Sequence, residues 1–161
     1  MPADREIAVF NTSPLIFLDV LDYLPLLPDL HQPVIPPAVS GELLAQPTAA
    51  GGQAPGYAWM TQRAPTVSIR DRVDRELLAG AGERQAIALA LTLSSLVVLD
   101  DKKARAYARQ CGIRLTGTVG LLLRLHRRGL SVRVLQEDLA LLETAGMRLS
   151  PAVRELVLQS L

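Results

Sequence analysis

The sequence predicts an α/β fold in which helices cover a central, mostly parallel sheet of about five short strands. Short apolar runs without alternation recur along the chain, and such runs are typical of strands that are buried on both faces. Most of these runs are followed by a segment in which apolar residues recur roughly every three to four positions, as in a helix. Strands that alternate with helices favour a parallel sheet over an all-β or an all-helical protein.

The first part of the chain predicts two strand–helix units and a loop. Residues 7–10 predict a strand, and Ser13 is expected to be the N-cap of the next helix, with a proline in its first turn. Residues 34–35 predict a second strand, and two prolines open a helix that ends near residue 44. The segment 46–56 is rich in Pro and Gly and has no charged residue, which indicates a mobile surface loop.

The rest of the chain predicts further strands and helices in alternation. The strands are expected at 66–69, 96–99 and 113–115. The helices are expected at 57–63, 73–78, 82–93, 102–111, 118–128, 132–145 and 151–161. Gly112 and Gly129 each follow a helix, where glycine readily adopts the left-handed conformation of a helix end.

Size and composition exclude several classes of protein. With 161 residues, 49% of them apolar and 20% charged, the chain is expected to fold as one globular domain over residues 1–161. Its one cysteine, Cys111, excludes an internal disulfide and a cysteine-rich zinc site. The charged first residues differ from a signal peptide, and no apolar run approaches the roughly 20 residues of a membrane span. We therefore expect a cytoplasmic protein without a membrane partner.

Charge is distributed unevenly along the chain. Residues 1–101 carry 6 basic and 12 acidic side chains, whereas residues 102–136 carry 9 basic and no acidic ones. This asymmetry is expected where a basic surface adjoins an acidic pocket. Two solvated helix faces are the alternative explanation.

Polar residues follow the predicted strands at the place where a ligand site is expected. In open parallel sheets, ligands bind beyond the carboxyl ends of the strands, where the strand order reverses. The residues that follow these strands are Asn11, Ser13, Asp100, Asp101 and Thr116.

Four acidic residues differ in the role that their positions indicate. Asp101 is well placed to cap the helix that begins at Lys102, and contact with a metal is the alternative. Asp100 ends an apolar run and must meet a cation, a donor or water, which favours a ligand role. The helix dipole alone would explain Glu83 at the start of its helix. It disfavours Glu42 at the end of its helix, which favours a function for Glu42.

Three of these carboxylates come from separate strand–helix units and could converge at the switch point: Glu42, Glu83 and Asp100. A divalent cation would offset their mutual repulsion, and oxygen ligands select magnesium or manganese over zinc. Such a cation polarises a phosphodiester and lowers the pKa of bound water. The expected chemistry is therefore the metal-dependent hydrolysis of a phosphodiester.

Other catalytic arrangements lack support in the sequence. Ser13 has no evident His–Asp relay, because His31 lies in a Pro-rich connection and His126 lies among arginines. Cys111 at a helix end is more typical of packing than of catalysis. The glycines at 117–120 do not have the spacing of a P-loop or a dinucleotide-binding motif.

Five motifs span most of residues 7–130: NTSPLI from Asn11, the Pro-Pro-Ala-Val lead into Glu42, GERQAIALA from Gly82, VVLDDKKAR ending at Arg105, and TGTVGLLL from Thr116. Together they resemble the PIN domain, the nuclease fold of many prokaryotic toxins of the VapC type, and most closely a PIN-like branch of poorly assigned function. The resemblance implies a three-layer α/β/α sandwich, metal-dependent ribonuclease activity, homodimers and often a small antitoxin partner. It also implies that Asn11 joins the three carboxylates in the metal site.

Two positions depart from the family pattern. Asn11 stands where active PIN nucleases usually have Asp, and it offers a neutral carbonyl oxygen without a charge. The last acid of the wider family is absent, because Thr116-Gly117-Thr118 provides hydroxyls and helix amides instead. These groups could hold a phosphate, but they cannot bind magnesium as a carboxylate would.

The basic stretch is expected to bind RNA through its phosphates, without base specificity. Lys102 and Arg105 share one face of their helix, and a second basic face lies on the later helix. Both faces are expected to flank the crevice. The complete set of predicted nucleic-acid contacts is Ser13, Lys102, Arg105, Thr116, Thr118, Arg124, Arg127 and Arg128.

The leading hypothesis is a divalent-metal-dependent endoribonuclease, which could be a toxin with a small antitoxin. The alternative is a catalytically degenerate PIN fold that binds nucleic acid or protein. Glu42, Glu83 and Asp100 favour the first, whereas Asn11 and the missing last acid favour the second. A third interpretation is that the high apolar content reflects a homodimer interface.

Overall fold

The computed structural model describes residues 5–45 and 57–161. Its sheet contains five strands, β1 (Ile7–Phe10), β2 (Gln32–Ile35), β3 (Thr61–Gln62), β4 (Leu96–Val98) and β5 (Leu115–Thr116). Every strand pair is parallel, and the strand order is β3-β2-β1-β4-β5. The predicted α/β fold with a parallel sheet is therefore confirmed. The loop expected at 46–56 lies outside the described residues.

The described part of the chain contains nine α-helices. They are α1 (Thr12–Val20), α2 (Leu27–Leu30), α3 (Pro37–Ala45), α4 (Val67–Glu76), α5 (Ala81–Leu93), α6 (Lys102–Gln110), α7 (Thr118–Arg127), α8 (Leu135–Thr144) and α9 (Pro151–Leu158). A short 3₁₀ turn, Leu24–Leu26, precedes α2. No helix among these is long and apolar enough to cross a membrane.

Successive side chains of β1 divide the core into two layers, because neighbouring residues of a strand point to opposite faces of the sheet. Ala8 and Phe10 are fully buried in a cluster that contains the apolar faces of α1, α7 and α8. Val9 is fully buried in the opposite cluster, which contains those of α4, α5 and α6. Both faces of the sheet are thus covered, which confirms the three-layer α/β/α sandwich.

Two predicted elements between 57 and 78 differ from the structure. A helix was expected at 57–63, but Thr61 and Gln62 form β3, and the amide of Arg63 donates to the carbonyl of Ile35 over 3.0 Å. An edge strand was expected at 66–69, but α4 begins at Val67. The β-branched residues of this segment favour a strand locally, whereas burial of Val73 against α5 favours one continuous helix.

Two observed boundaries at helix ends differ from the predicted ones. The strand expected at 113–115 begins at Leu115, because the amide of Ile113 still donates to the carbonyl of Ala108 and closes α6. Gly112 and Gly129 both have positive φ, as their predicted place after a helix requires. At α1 the N-cap is Asn11, not Ser13, since the helix already begins at Thr12.

A buried polar network joins α7 to α8. The fully buried carboxylate of Asp138 accepts hydrogen bonds from the Tyr23 hydroxyl at 2.7 Å and from Arg133 Nε at 2.8 Å, and lies 2.7 Å from His126 Nε2. Ser131 Oγ lies 3.1 Å from the other ring nitrogen of His126. Burial raises the pKa of the Tyr23 hydroxyl, so Tyr23 remains a donor to Asp138. The network offsets the cost of burying the charge of Asp138.

Candidate functional site

The strand order reverses between β1 and β4, and this switch point is where a ligand site is expected. Asn11 directly follows β1, and its amide donates to the carbonyl of Val98 over 3.1 Å. Asp100 lies two residues beyond Val98, after the end of β4. Both residues therefore lie at the carboxyl ends of adjacent strands, as the sequence predicted.

Asn11 and Glu42 meet beside the first turn of α5. Glu42 Oε1 accepts a hydrogen bond from the amide of Gly82 at 3.1 Å, and its Oε2 accepts one from the hydroxyl of Thr12. A Cβ atom on Gly82 would stand 2.7 Å from Glu42 Oε2 and 2.9 Å from Asn11 Oδ1. Only glycine leaves this space open, so the absence of a side chain at position 82 keeps the two oxygen-bearing groups accessible to each other.

The side-chain carbonyl of Asn11 lacks a hydrogen-bond partner within the described residues. Asn11 is 2% exposed, and its Oδ1 is buried. A buried carbonyl oxygen without a donor is costly, and such an atom in a native structure calls for a water or an ion. An oxygen next to the Glu42 carboxylate is the ligand type that magnesium and manganese prefer. Asn11 and Glu42 therefore fit a hard divalent cation.

Asp100 is held by the first turn of α7. Its Oδ1 accepts from the Thr118 amide at 2.8 Å, and its Oδ2 accepts from the Thr118 hydroxyl at 2.5 Å. Asp100 Oδ1 and Arg105 Nη1 each lie 2.8 Å from the point where a Cβ on Gly117 would stand. Arg105 Nη1 also donates to the carbonyl of Leu99 at 2.8 Å. The carboxylate is thus fixed in orientation between a helix N-terminus and a guanidinium.

The other two acidic residues interact with their own helices. The Asp101 side chain accepts a hydrogen bond from the Ala104 amide at 2.8 Å, which confirms its role as the N-cap of α6. The side chain of Glu83 turns back to the start of α5. Its Oε2 lies 2.5 Å from the point where a Cβ on Gly80 would stand. A carboxylate there interacts favourably with the helix dipole, as the sequence indicated.

The three predicted carboxylates are not gathered around one point. Within residues 5–45 and 57–161, no group of three or more His, Cys, Asp or Glu side chains lies close enough to hold a metal ion. This range includes Glu42, Glu83 and Asp100. The expected convergence of these three acids is therefore not seen, and the pair that the structure does bring together is Asn11 with Glu42.

The basic residues lie at two different ends of the sheet. Lys102 and Arg105 are in the first turns of α6, directly after Asp100. Arg124 contacts His31, which precedes β2, and Arg128 donates to the carbonyl of Asp29 over 2.9 Å. These contacts are at the amino ends of the strands. The expectation that the α7 arginines flank the crevice is therefore wrong, because α7 runs away from it.

The remaining predicted contacts differ in accessibility. Ser13 is exposed in the first turn of α1, and Thr116 is half-buried at the end of β5. Thr118 is fully buried, and its amide and hydroxyl both donate to Asp100. Arg127 donates to the carbonyl of Ser160 over 3.1 Å, near the C-terminus.

Sequence reasoning missed the groups that position Glu42, namely Thr12 and Gly82. Their contacts span 30 and 40 residues of the chain, so no local pattern shows them. The sequence contains a hint only for Gly82. Gly80 and Gly82 lie close together at the start of a helix, and such glycines suggest the close approach of another group.

Comparison with known proteins identifies a family for this chain. A family model, DUF3368, described as a PIN domain, matches residues 7–161. No curated protein matches the chain. The match covers nearly the whole sequence and agrees with the three-layer sandwich and its parallel sheet. The chain therefore belongs to the PIN-domain family.

Proposed function

We propose that this PIN domain is a divalent-metal-dependent endoribonuclease that hydrolyses RNA phosphodiester bonds. A PIN domain is a nuclease-type fold, and PIN domains generally use divalent metals. The observation that carries the proposal is the buried Asn11 Oδ1, which has no donor within the described residues and lies beside the Glu42 carboxylate at the switch point.

Asn11 and Glu42 are the residues that would hold the cation. When bound, magnesium or manganese would supply a polarised phosphodiester and a water of lowered pKa. Thr12 and the Gly82 amide orient the Glu42 carboxylate, so that its remaining lone pairs have a fixed direction. Asp100, fixed by Thr118, adds negative charge at the next strand end.

RNA is the proposed substrate because a cationic segment adjoins this acidic site. Lys102 is exposed at the start of α6, and Arg105 is half-buried beside Asp100. Burial lowers the pKa of Arg105, with a smaller contribution from Arg109, but an arginine remains charged at neutral pH. The two cations would attract the phosphates of a strand that enters the crevice.

Cleavage of single-stranded RNA with manganese tests the proposal. We expect Asp100→Asn to lower the cleavage rate about 10–100-fold, which is the usual cost of removing a group that only supports a metal site. Glu42→Gln removes a ligand and should lower the rate at least about 100-fold. Glu155→Gln, on the exposed side of α9, is the matched control and should cleave at the wild-type rate. Cleavage that persists in chelator or in both variants would refute a metal mechanism.

Asn11→Asp provides a second test that does not depend on activity. A carboxylate in place of the carbonyl adds one charge next to Glu42, so manganese should bind at least about tenfold more tightly. The metal-free variant should unfold at a lower temperature than the wild type, because two adjacent carboxylates repel each other. Thermal unfolding with and without manganese measures both effects. Equal manganese affinity in the variant and the wild type would exclude Asn11 as a ligand.

A second candidate function is a PIN fold that binds nucleic acid or protein without cleaving it. The observation that favours it is the full engagement of Asp100 by Thr118, together with the lack of a three-acid group among the described residues. RNA binding without cleavage under any divalent cation would support this alternative.

The proposal extends to a toxin that acts as a homodimer and is neutralised by a small antitoxin. Large apolar side chains are exposed on the described surface, among them Leu44, Trp59 and Leu78, and such side chains are suited to protein contacts. Light scattering gives the mass in solution. Expression should arrest growth with the wild type but not with Asp100→Asn, and equal growth of the two strains would contradict a toxin.

A further inference from the structure

We propose that a cavity next to Asp100 is a nucleotide subsite, which holds the base and the phosphate of one nucleotide of the RNA. The inference rests on the proposed function, since it names how the substrate of that same site is held. The cavity has a volume of about 470 Å³ and lies between β5, α7 and residues 147–149. Small-molecule sites have volumes of roughly 300–1,000 Å³, so a nucleotide is a suitable occupant.

One wall of the cavity is apolar. It consists of Leu115, Val119, Leu123, Met147 and Leu149. The flat faces of a nucleobase lose little by leaving water for such a wall, and the thioether of a methionine makes favourable contacts with aromatic rings. The apolar wall therefore suits the base and would not retain a bare phosphate.

The cavity lining also carries two guanidinium groups. Arg105 is fixed by its hydrogen bond to the Leu99 carbonyl, and Arg148 is exposed and lies between Met147 and Leu149 in the chain. Arg148 forms no hydrogen bond or ion pair with another described residue. The lining thus has two arginines and the single carboxylate of Asp100, which leaves an excess of positive charge. One guanidinium group can donate two parallel hydrogen bonds to the oxygens of a phosphate.

The start of α7 adds donors to these cations. Gly117 and Gly120 also line the cavity. Asp100 and Arg105 pack closely beside Gly117, and Thr116 Oγ1 packs beside Gly120. The amides of Val119 and Gly120 belong to the first turn of α7, where an amide has no acceptor within the helix. Together with the arginines, these amides favour an anionic group next to the apolar wall. A nucleotide combines those two chemistries in one ligand.

Binding of nucleoside 5′-monophosphates in chelator tests the subsite without any cleavage. Calorimetry should show binding to the wild type and a roughly tenfold or greater loss in Arg148→Ala, as expected for a charge-assisted hydrogen bond. Leu149→Trp, which fills the apolar wall, should weaken binding as much. The matched controls are Arg75→Ala on α4 and Leu156→Trp on α9, both exposed, and they should bind like the wild type.

Three results of the binding measurements would overturn the subsite. They are no nucleotide binding, wild-type affinity in both cavity variants, or inorganic phosphate binding as tightly as the nucleotide. Arg148 is exposed, so its variant is expected to fold, and thermal unfolding checks this. Cleavage that is lost in Glu42→Gln but unchanged in the cavity variants would uphold the nuclease and refute the subsite. Nucleotide binding by the wild type without metal-dependent cleavage would uphold the subsite and refute the nuclease.

Discussion

His31 is a buried imidazole that faces arginines, and its environment makes the stability of the protein depend on pH. Nε2 of His31 contacts Arg124, and its Nδ1 is buried without a partner in the described residues. Burial, with a smaller effect of Arg124 and Arg128, lowers the pKa of His31 from 6.5 to about 4. The folded protein therefore keeps this ring neutral at pH values where the unfolded chain protonates it.

The consequence is a loss of stability as the pH falls through the window between the two pKa values. Because the unfolded state binds the extra proton, the free energy of unfolding should drop by about 2 kcal/mol more in the wild type than in His31→Gln between about pH 7 and about pH 4.5. Urea denaturation at both pH values measures this difference. Carboxylates titrate equally in both proteins, so identical pH profiles would show that His31 is not the cause.

At the same scale, the sequence predicts local contacts better than distant ones. Asp101 as an N-cap follows from its place three residues before Ala104, and the structure confirms it. Glu42 lies at the helix end where the dipole disfavours an acid, and this position indicated a function. Its partners Thr12 and Gly82 could not be inferred, because they lie 30 and 40 residues away along the chain. The same limit applies to Asp100, because its tie to Thr118 spans 18 residues.

At the scale of the element, we predict that Asp101, the N-cap of α6, contributes to stability rather than to metal binding. Asp101→Ala removes the acceptor for the Ala104 amide and should lower the free energy of unfolding by about 1 kcal/mol, whereas Asp101→Asn retains a capping oxygen and should lose less. Urea denaturation of the three proteins gives the order. The manganese dependence of unfolding should be the same in all three, and a loss of that dependence in Asp101→Ala would instead indicate that Asp101 is a metal ligand.

The helices and strands also show where propensity is overruled. Residues 66–69 include Val67 and Ile69, which favour a strand locally. Yet these residues belong to α4, because Val73 and Leu77 further along it are buried against α5. The long helix α5 was predicted at nearly its observed position, since its periodicity extends over enough residues to outweigh local preference.

At the scale of the whole molecule, the order β3-β2-β1-β4-β5 decides which residues share an edge. Alternating apolar runs and helices predict a parallel sheet, and hence that Asn11 and Asp100 lie at the same edge. They do not predict how far each side chain turns toward its neighbours. This is why the strand-end residues were found correctly while the three-carboxylate group was not. The position of the α7 arginines was missed for a related reason. The sequence shows that they share one face of a helix, but it does not show at which end of the sheet that face lies.

The same topology separates two pairs of cations that sequence alone treats as one surface. Lys102 and Arg105 lie next to Asp100, whereas Arg127 and Arg128 lie at the far end of α7. The double variant Lys102→Ala, Arg105→Ala should weaken binding of single-stranded RNA and reduce the slope of log affinity against log salt by about 0.7 for each lost phosphate contact.

The double variant Arg127→Ala, Arg128→Ala is the matched control, because it also removes two positive charges. It also removes two hydrogen bonds that these arginines donate to backbone carbonyls. A general effect of net charge would weaken RNA binding equally in both double variants, whereas a local crevice effect requires the loss to be confined to the first. Binding measured at several salt concentrations separates these outcomes. An equal slope change in both variants would therefore show that the crevice is not the main contact of the RNA.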